Sequence, residues 1–316
     1  MRSAPYILFL EPLYYCNLDC PLCDRQVFPT ARVKDAGKLS LELYDRILDE
    51  VGDWLFQCQI FGQGKAMLDW NLTRQIIERS HRRRIFTLVS TNCTLITPRI
   101  AEEVVSCGLD HLVFAIDGIT QQSYEVYRTG GKLDDAMDGM RRVVDQKRKQ
   151  KSKIELEWQF LVHKHNAHEI DAARTLAREL GVFLRLAPLR GMEWDKDLEK
   201  FWLAGNIPIA ARSVSAGMTM QDIPCYFLWR SLVLNSNGKI ARCLIYHNVS
   251  QYVNLHDHSV LEAYNHPSMQ RARQLFSKQA VPAGDFPSPS GDCPYFERHH
   301  GGQNRKQRTP LQLATV

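Results

Sequence analysis

Three cysteines fall within eight residues, in the run Cys16-Asn17-Leu18-Asp19-Cys20-Pro21-Leu22-Cys23. Thiolates are soft ligands and favour zinc or iron–sulfur centres. Tetrahedral zinc would need a fourth protein ligand, or an open position in a catalytic site. A [4Fe–4S] cube held by three cysteines keeps one iron open to a substrate or cofactor. Spacing alone admits both. The chain holds nine cysteines in all, and an odd count in a reducing compartment argues against a disulfide framework. Cys225, Cys243 and Cys293 form a second, C-terminal group. Cys58 and Cys107 read as core thiols, because free cysteine packs as a small hydrophobe.

The elements that must position these residues alternate. Apolar, β-branched runs predict strands over 6–10, 59–61, 86–90, 111–116, 155–162 and 182–187. Apolar residues spaced by three and four predict helices over 41–51, 71–80, 98–107, 133–147 and 167–180. Ser40 and the pair Thr97-Pro98 read as helix starts. Strict alternation of strand and helix implies an α/β fold with a parallel sheet. In such barrels chemistry gathers at the C-terminal ends of the strands, and the first cysteine loop lies just beyond the first strand.

The Cys-x3-Cys-x2-Cys loop after a first strand resembles that of the radical S-adenosylmethionine (SAM) enzymes. The resemblance extends to later strand ends. Gly62-Gln63-Gly64-Lys65-Ala66 stands where the family has a Gly-Gly-Glu-Pro-like segment that holds the SAM amino group. Lysine accepts no hydrogen bond from an ammonium, so backbone carbonyls or another residue must take that contact. Ser90-Thr91-Asn92 is similar to the polar triplet near the SAM ribose, with Cys93 in place of the usual glycine. Asp117-Gly118 and Tyr124-x2-Tyr127-Arg128-Thr129-Gly130-Gly131 resemble the family's fourth strand end, and Arg128 suits the SAM carboxylate. Gln159 and Asn166 fall in a related pattern after the fifth strand. The resemblance implies cofactor contacts at Gly62, Gly64, Ser90, Asn92, Asp117, Arg128 and Gln159, and a cluster on Cys16, Cys20 and Cys23. Cys93, near the implied radical path, is a candidate hydrogen donor.

By the same resemblance, the fold is an open (β/α)6 partial barrel over residues 1–190, with a connector at 191–224. Cys225-x12-Gly238-x4-Cys243, about an Asn237-Gly238 turn that signals a hairpin, is similar to the start of a SPASM or twitch extension. That small α+β extension, over residues 225–300, would carry a second [4Fe–4S] cluster on Cys225, Cys243 and Cys293. Three arrangements stay open: an open iron, completion by Ser290 or Asp292, or loss of the cluster. A polar tail at 301–316 is expected to be disordered.

The implied reaction is reductive cleavage of SAM to a 5′-deoxyadenosyl radical, fed by a flavodoxin- or ferredoxin-type donor. The radical would take a hydrogen atom from a substrate in natural-product or cofactor biosynthesis, giving dehydrogenation, epimerisation or rearrangement. The first strand begins by residue 6, with no cobalamin or peptide-recognition segment ahead of it, which favours a small polar metabolite such as a sugar, nucleoside or aminocyclitol. A peptide maturase and a non-catalytic zinc protein are the alternatives. The net charge of +5 comes largely from short basic runs at 81–84 and 147–151 that read as solvated helix ends, not a nucleic-acid footprint. No apolar stretch reaches the roughly 20 residues that span a bilayer, and no secretory cleavage site follows the N-terminus. A cytoplasmic enzyme is expected.

Overall fold

The structure is a computed structural model that describes residues 3–27, 37–62, 64–189, 196–203, 225–242 and 251–275. Six strands, β1 (Ile7–Leu10), β2 (Gln57–Ile60), β3 (Phe86–Thr91), β4 (His111–Ala115), β5 (Glu155–Val162) and β6 (Phe183–Pro188), pair in parallel and in sequence order. Helices return the chain between them: α2 (Leu41–Val51), α3 (Trp70–Arg82), α4 (Pro98–Val104), α5 (Gln121–Tyr127), α6 (Leu133–Gln150) and α7 (Ile170–Leu180). A single turn, α1 (Asp24–Val27), closes the first cysteine loop. The expected strand–helix alternation is present, as a largely parallel partial barrel.

Helix starts follow the local chemistry. The Ser40 and Thr97 side chains accept from the backbone N–H of Leu43 and Ile100, which satisfies donors that a first turn leaves orphaned. The basic runs close α3 and α6, with Arg79, His81 and Arg82, and Lys147, Arg148 and Lys149, in their last turns. Cations there oppose the negative end of the helix dipole.

Alternation along the strands divides the sheet into two faces. One face carries Leu8, Leu10, Cys58, Ile60, Val89, Leu112, Phe114, Trp158 and Phe160, packed with Ile47, Ile76, Val104 and Met140 from the helices. The other face carries Phe9, Gln159 and Leu161, with Leu161 packed against the cluster that holds Tyr127 and Trp202. There Phe9 meets Phe61 and Phe227 edge-on at 5.8 and 5.9 Å, while Arg185 on β6 donates to Gln159 at 2.7 Å and pairs with Glu157.

The C-terminal part joins this sheet. After a one-turn helix α9 (Phe227–Arg230), β7 (Ser231–Leu234) pairs in parallel with β1, and β8 (Lys239–Ala241) and β9 (Gln251–Asn254) follow antiparallel. The expected hairpin turn is present, with Gly238 at φ 80°, a left-handed conformation that glycine adopts without strain. The residues just ahead of the hairpin form α9, and its first strand starts at Ser231. A helix α8 (Lys196–Leu203) also lies inside the stretch expected as connector, where an irregular Trp and Gly pattern hid its short period. Two helices, α10 (Val260–Tyr264) and α11 (Pro267–Leu275), end the described chain. Cys243, Ser290, Asp292, Cys293 and the tail at 301–316 lie outside the described residues.

Glu50 at the end of α2 accepts from the backbone N–H of Val260 at 2.7 Å and of Leu261 at 2.9 Å. The first turn of α10 is thereby tied to the barrel, carboxylate against helix dipole. Glu50→Ala is expected to cost about 1–2 kcal/mol, read as a lower denaturant midpoint at unchanged slope.

Candidate active site

The first cysteine loop is held by backbone and amide contacts, not by the cysteines themselves. Past β1, Pro12 carbonyl accepts from Leu39 N–H at 2.8 Å, and Lys65 N–H donates to Tyr15 carbonyl at 2.7 Å. Asp19 N–H reaches Thr129 carbonyl at 3.1 Å. Asn17 bonds both Asn92 at 3.0 Å and Thr94 at 2.9 Å, and Thr94 returns to Asn92 at 3.1 Å. This closed ring of amides and hydroxyl pins the loop to the end of β3. Asn92 is wholly buried in it. Its amide N–H therefore holds the cysteine loop, a different task from the ribose contact expected.

Gly64 allows the β2 loop to press on the first one. A Cβ there would stand 1.6 Å from the Leu13 carbonyl oxygen, a backbone atom that cannot move aside cheaply. Gly64→Ala should therefore displace the segment leading into Cys16. We expect it to retain less than about half of the wild-type iron after anaerobic reconstitution, given that misplaced ligands lose metal affinity 10–100-fold.

Asp117 and Arg128 form the buried electrostatic centre. Arg128 Nε donates to Asp117 Oδ2 at 2.6 Å, and Leu161 N–H donates to Oδ1 at 2.7 Å. Burial raises the Asp117 pKa, opposed by the guanidinium beside it. Two N–H donors on two oxygens are the arrangement of a carboxylate. Burial works against the charge on Arg128, yet Asp117 more than restores it, and the guanidinium stands above its ordinary pKa. Asn166 locks the corner by donating to the carbonyls of Asp117 and Leu161, each at 2.9 Å.

Arg128 Nη1 also lies 3.8 Å from the Cys20 sulfur. Lys65 is half-buried beside the same loop. Burial lowers its pKa, with Cys16 and then the other two cysteines pulling it up and Arg128 pushing it down. Two cations thus face a loop of three thiols. The arrangement fits a negatively charged thiolate-bound group. Among the described residues, no set of three His, Cys, Asp or Glu is placed to hold one metal ion. Three cysteine sulfurs suit a cube, which takes each of them on a separate iron.

Gly62 is exposed and abuts Glu11, whose carboxylate oxygen would lie 2.7 Å from a Cβ added there. Ser90 is half-buried at the end of β3. Gln159 lies on the sheet face that also carries Phe9 and Leu161, where it accepts from Arg185 at 2.7 Å. Cys93 is wholly buried at φ 68°, its thiol 3.6 Å from the Thr91 carbonyl. Burial pushes its pKa well up. Cys58 and Cys107 are packed thiols raised by burial to about 12 and about 11, in keeping with core roles. Cys225 is half-buried next to α9.

Three residues escaped the sequence reading. Glu11, 2% exposed, ties β1 to the hairpin through Ser236 at 3.0 Å; a lone acid in an apolar run was its only signal. Glu169 caps the start of α5, accepting from Ile119 N–H and Thr120 hydroxyl, both at 2.7 Å. His163 is buried among aromatic rings, and burial with His165 lowers its pKa to about 3.

A parallel partial barrel with a Cys-x3-Cys-x2-Cys loop beyond β1, and a buried Asp–Arg pair beyond β4, defines a class of metal-cofactor enzyme. Residues 10–156 match the family model described as the Radical SAM superfamily, so that part of the chain is a Radical SAM domain. It is 26% identical over 202 residues to an AdoMet-dependent heme synthase of Methanosarcina barkeri, covering 62% of this chain and 55% of that one. It is 24% identical over 192 residues to the mycofactocin maturase MftC of Mycobacterium tuberculosis, covering 60% and 46%. The chain thus spans about half the length of these curated relatives. The crystal structure of Streptococcus suis SuiB bound to the precursor peptide SuiA superposes with a TM-score of 0.66 at 16% identity, covering 88% of this chain and 69% of that one. That likeness is one of fold. A Radical SAM domain implies a [4Fe–4S] cluster and SAM. No helix among the described residues is long and apolar enough to cross a membrane.

Proposed function

We propose that this protein cleaves SAM reductively and removes a hydrogen atom from a polar substrate. The observation that carries the reading is the cysteine loop, anchored by Asn17, Asp19 and the Lys65 backbone and faced by the side chains of Lys65 and Arg128. With one electron from a flavodoxin- or ferredoxin-type donor, the cluster and SAM would supply methionine and a 5′-deoxyadenosyl radical. Cys16, Cys20 and Cys23 would hold the cluster. Arg128, kept charged and oriented by Asp117, would meet the SAM carboxylate by bidentate hydrogen bonding. Gly62, Gly64, Ser90 and Gln159 are further proposed cofactor contacts, and Asn92 keeps the cysteine loop in place. Cys225, Cys243 and Cys293 are proposed ligands of a second cluster in a SPASM- or twitch-like extension.

The substrate is proposed to be a small polar molecule, because Arg185, Glu157 and Gln159 give one face of the sheet hydrogen-bonding groups. A peptide is the second reading, favoured by relatives named as a maturase and by SuiB with its precursor peptide. Anaerobic assays with deuterated candidates decide between them by which transfers deuterium into 5′-deoxyadenosine. Absence of any SAM cleavage with strong reductant would overturn both. Cys93 is the weaker part of the site proposal, since its thiol is packed and already bonded. Cys93→Ala is expected to keep substrate-free 5′-deoxyadenosine formation within about twofold, as for a buried volume-reducing change; if Cys93 is the donor, only product formation falls.

A further inference from the structure

Two arginines of the C-terminal part have no acid beside them. Arg242 follows directly on β8, and its guanidinium lies 5.6 Å from the Tyr252 ring. Arg273 on α11 stands 4.3 Å from the Tyr264 ring and donates through Nε to the Leu228 carbonyl at 2.7 Å. Tyr252 is their common neighbour. Its hydroxyl donates to the Ala263 carbonyl at 2.9 Å, and the His266 ring packs against it at 5.5 Å. Burial raises the Tyr252 pKa, and the charges of Arg273 and Arg242 both oppose that rise.

Donors are in surplus here. Arg242 Nε, Arg273 Nη2 and Gln251 Nε2 are buried, and no group among the described residues accepts from them. Acids on neighbouring elements are engaged elsewhere: Glu50 on the N–H groups of Val260 and Leu261, Glu262 on the Ser259 N–H at 2.9 Å. Burial lowers the pKa of both arginines, and only tyrosines oppose it. Other sheltered arginines of this chain do have carboxylates, as Arg79 has Asp45 and Arg128 has Asp117. Arg242, Gln251, Tyr252, His266 and Arg273 are each half-buried, so the cluster keeps an open side at the surface.

We propose that Arg242 and Arg273, with Gln251, bind a phosphate group, either as the free ion or as the phosphoryl end of a small molecule. Guanidinium forks match phosphate oxygens in pairs. A carboxylate takes its hydrogen bonds in one plane, whereas donors from the end of β8, from β9 and from α11 suit a tetrahedral ion. The bound anion would tie β8 and β9 to α11. The site uses neither SAM nor the first cysteine loop.

The test uses the full, anaerobically reconstituted chain. Melting is followed in phosphate, chloride and acetate at equal ionic strength, with calorimetric titration of inorganic phosphate and of AMP. At phosphate near tenfold its dissociation constant, the wild type should melt roughly 3–5 °C higher than in chloride. Arg242→Met should weaken phosphate binding about tenfold or more. In chloride this variant should melt no lower than wild type, because it removes a sheltered charge that has no partner. Arg242→Lys keeps the charge but not the fork and should fall between the two; it decides the matter if Arg242→Met does not fold. AMP binding more tightly than phosphate identifies a phosphoryl end, and the reverse identifies the free ion; either outcome upholds the site. Equal melting in phosphate and chloride with no calorimetric heat overturns the proposal. So does an unchanged phosphate affinity in the Arg242 variants, or a rise in acetate as large as that in phosphate.

Discussion

The triple variant Cys16→Ala, Cys20→Ala, Cys23→Ala is expected to form no 5′-deoxyadenosine above background while keeping its secondary structure. The loop does not depend on its thiols for shape. Asn17 with Asn92 and Thr94, Asp19 with Thr129, and Lys65 with Tyr15 hold it through other atoms. Iron per chain should fall by about four after anaerobic reconstitution, the content of one cube. The remainder is informative. About four iron left in the variant would support a second cluster on Cys225, Cys243 and Cys293, and iron near zero would count against it. Wild-type iron content in the triple variant would refute the ligand assignment.

Asp117→Ala is expected to be the most destabilising single change outside the apolar core. It leaves the Arg128 guanidinium buried, 8% exposed, without its carboxylate, and an uncompensated buried charge of this kind costs about 3–5 kcal/mol. It also strips the acceptor from Leu161 N–H. At roughly 2–4 °C per kcal/mol for a domain of this size, the melting temperature should drop by about 10 °C. The double change Asp117→Leu with Arg128→Met removes both charges and should recover most of that loss, because a buried pair contributes little against well-packed apolar groups. It should not recover SAM affinity, since Arg128 is then gone. Stability returning without SAM binding would separate the structural task of the pair from its task toward the cofactor. Full stability in Asp117→Ala would show that the charge is solvated in a way the buried geometry does not allow.

The class of the protein was legible in the chain itself. Cysteine spacing is a local property: three thiols within eight residues share a loop in any fold, so their joint chemistry needs no tertiary information. The strand–helix alternation was readable for the same reason, since hydrophobic period and N-cap residues such as Ser40 and Thr97 act within a few positions. Boundaries shifted by a few residues, and α8 and α9 were missed, because short helices carry too little period to stand out.

Partnerships across the sequence were a different matter. Nothing local tells that Asn92 grips Asn17, that Gln159 turns to Arg185, or that Glu50 closes the start of α10. These are contacts between residues far apart in the chain, decided by strand register and by which face each side chain takes. A one-residue change of register in β5 would send Gln159 to the other face. The same holds for His163, an ordinary histidine by type, which the packing of Tyr127 and Trp202 buries with one ring N–H that no described residue accepts. Sequence determined which atoms were available for chemistry; tertiary structure decided which of them are already engaged and which still await a partner.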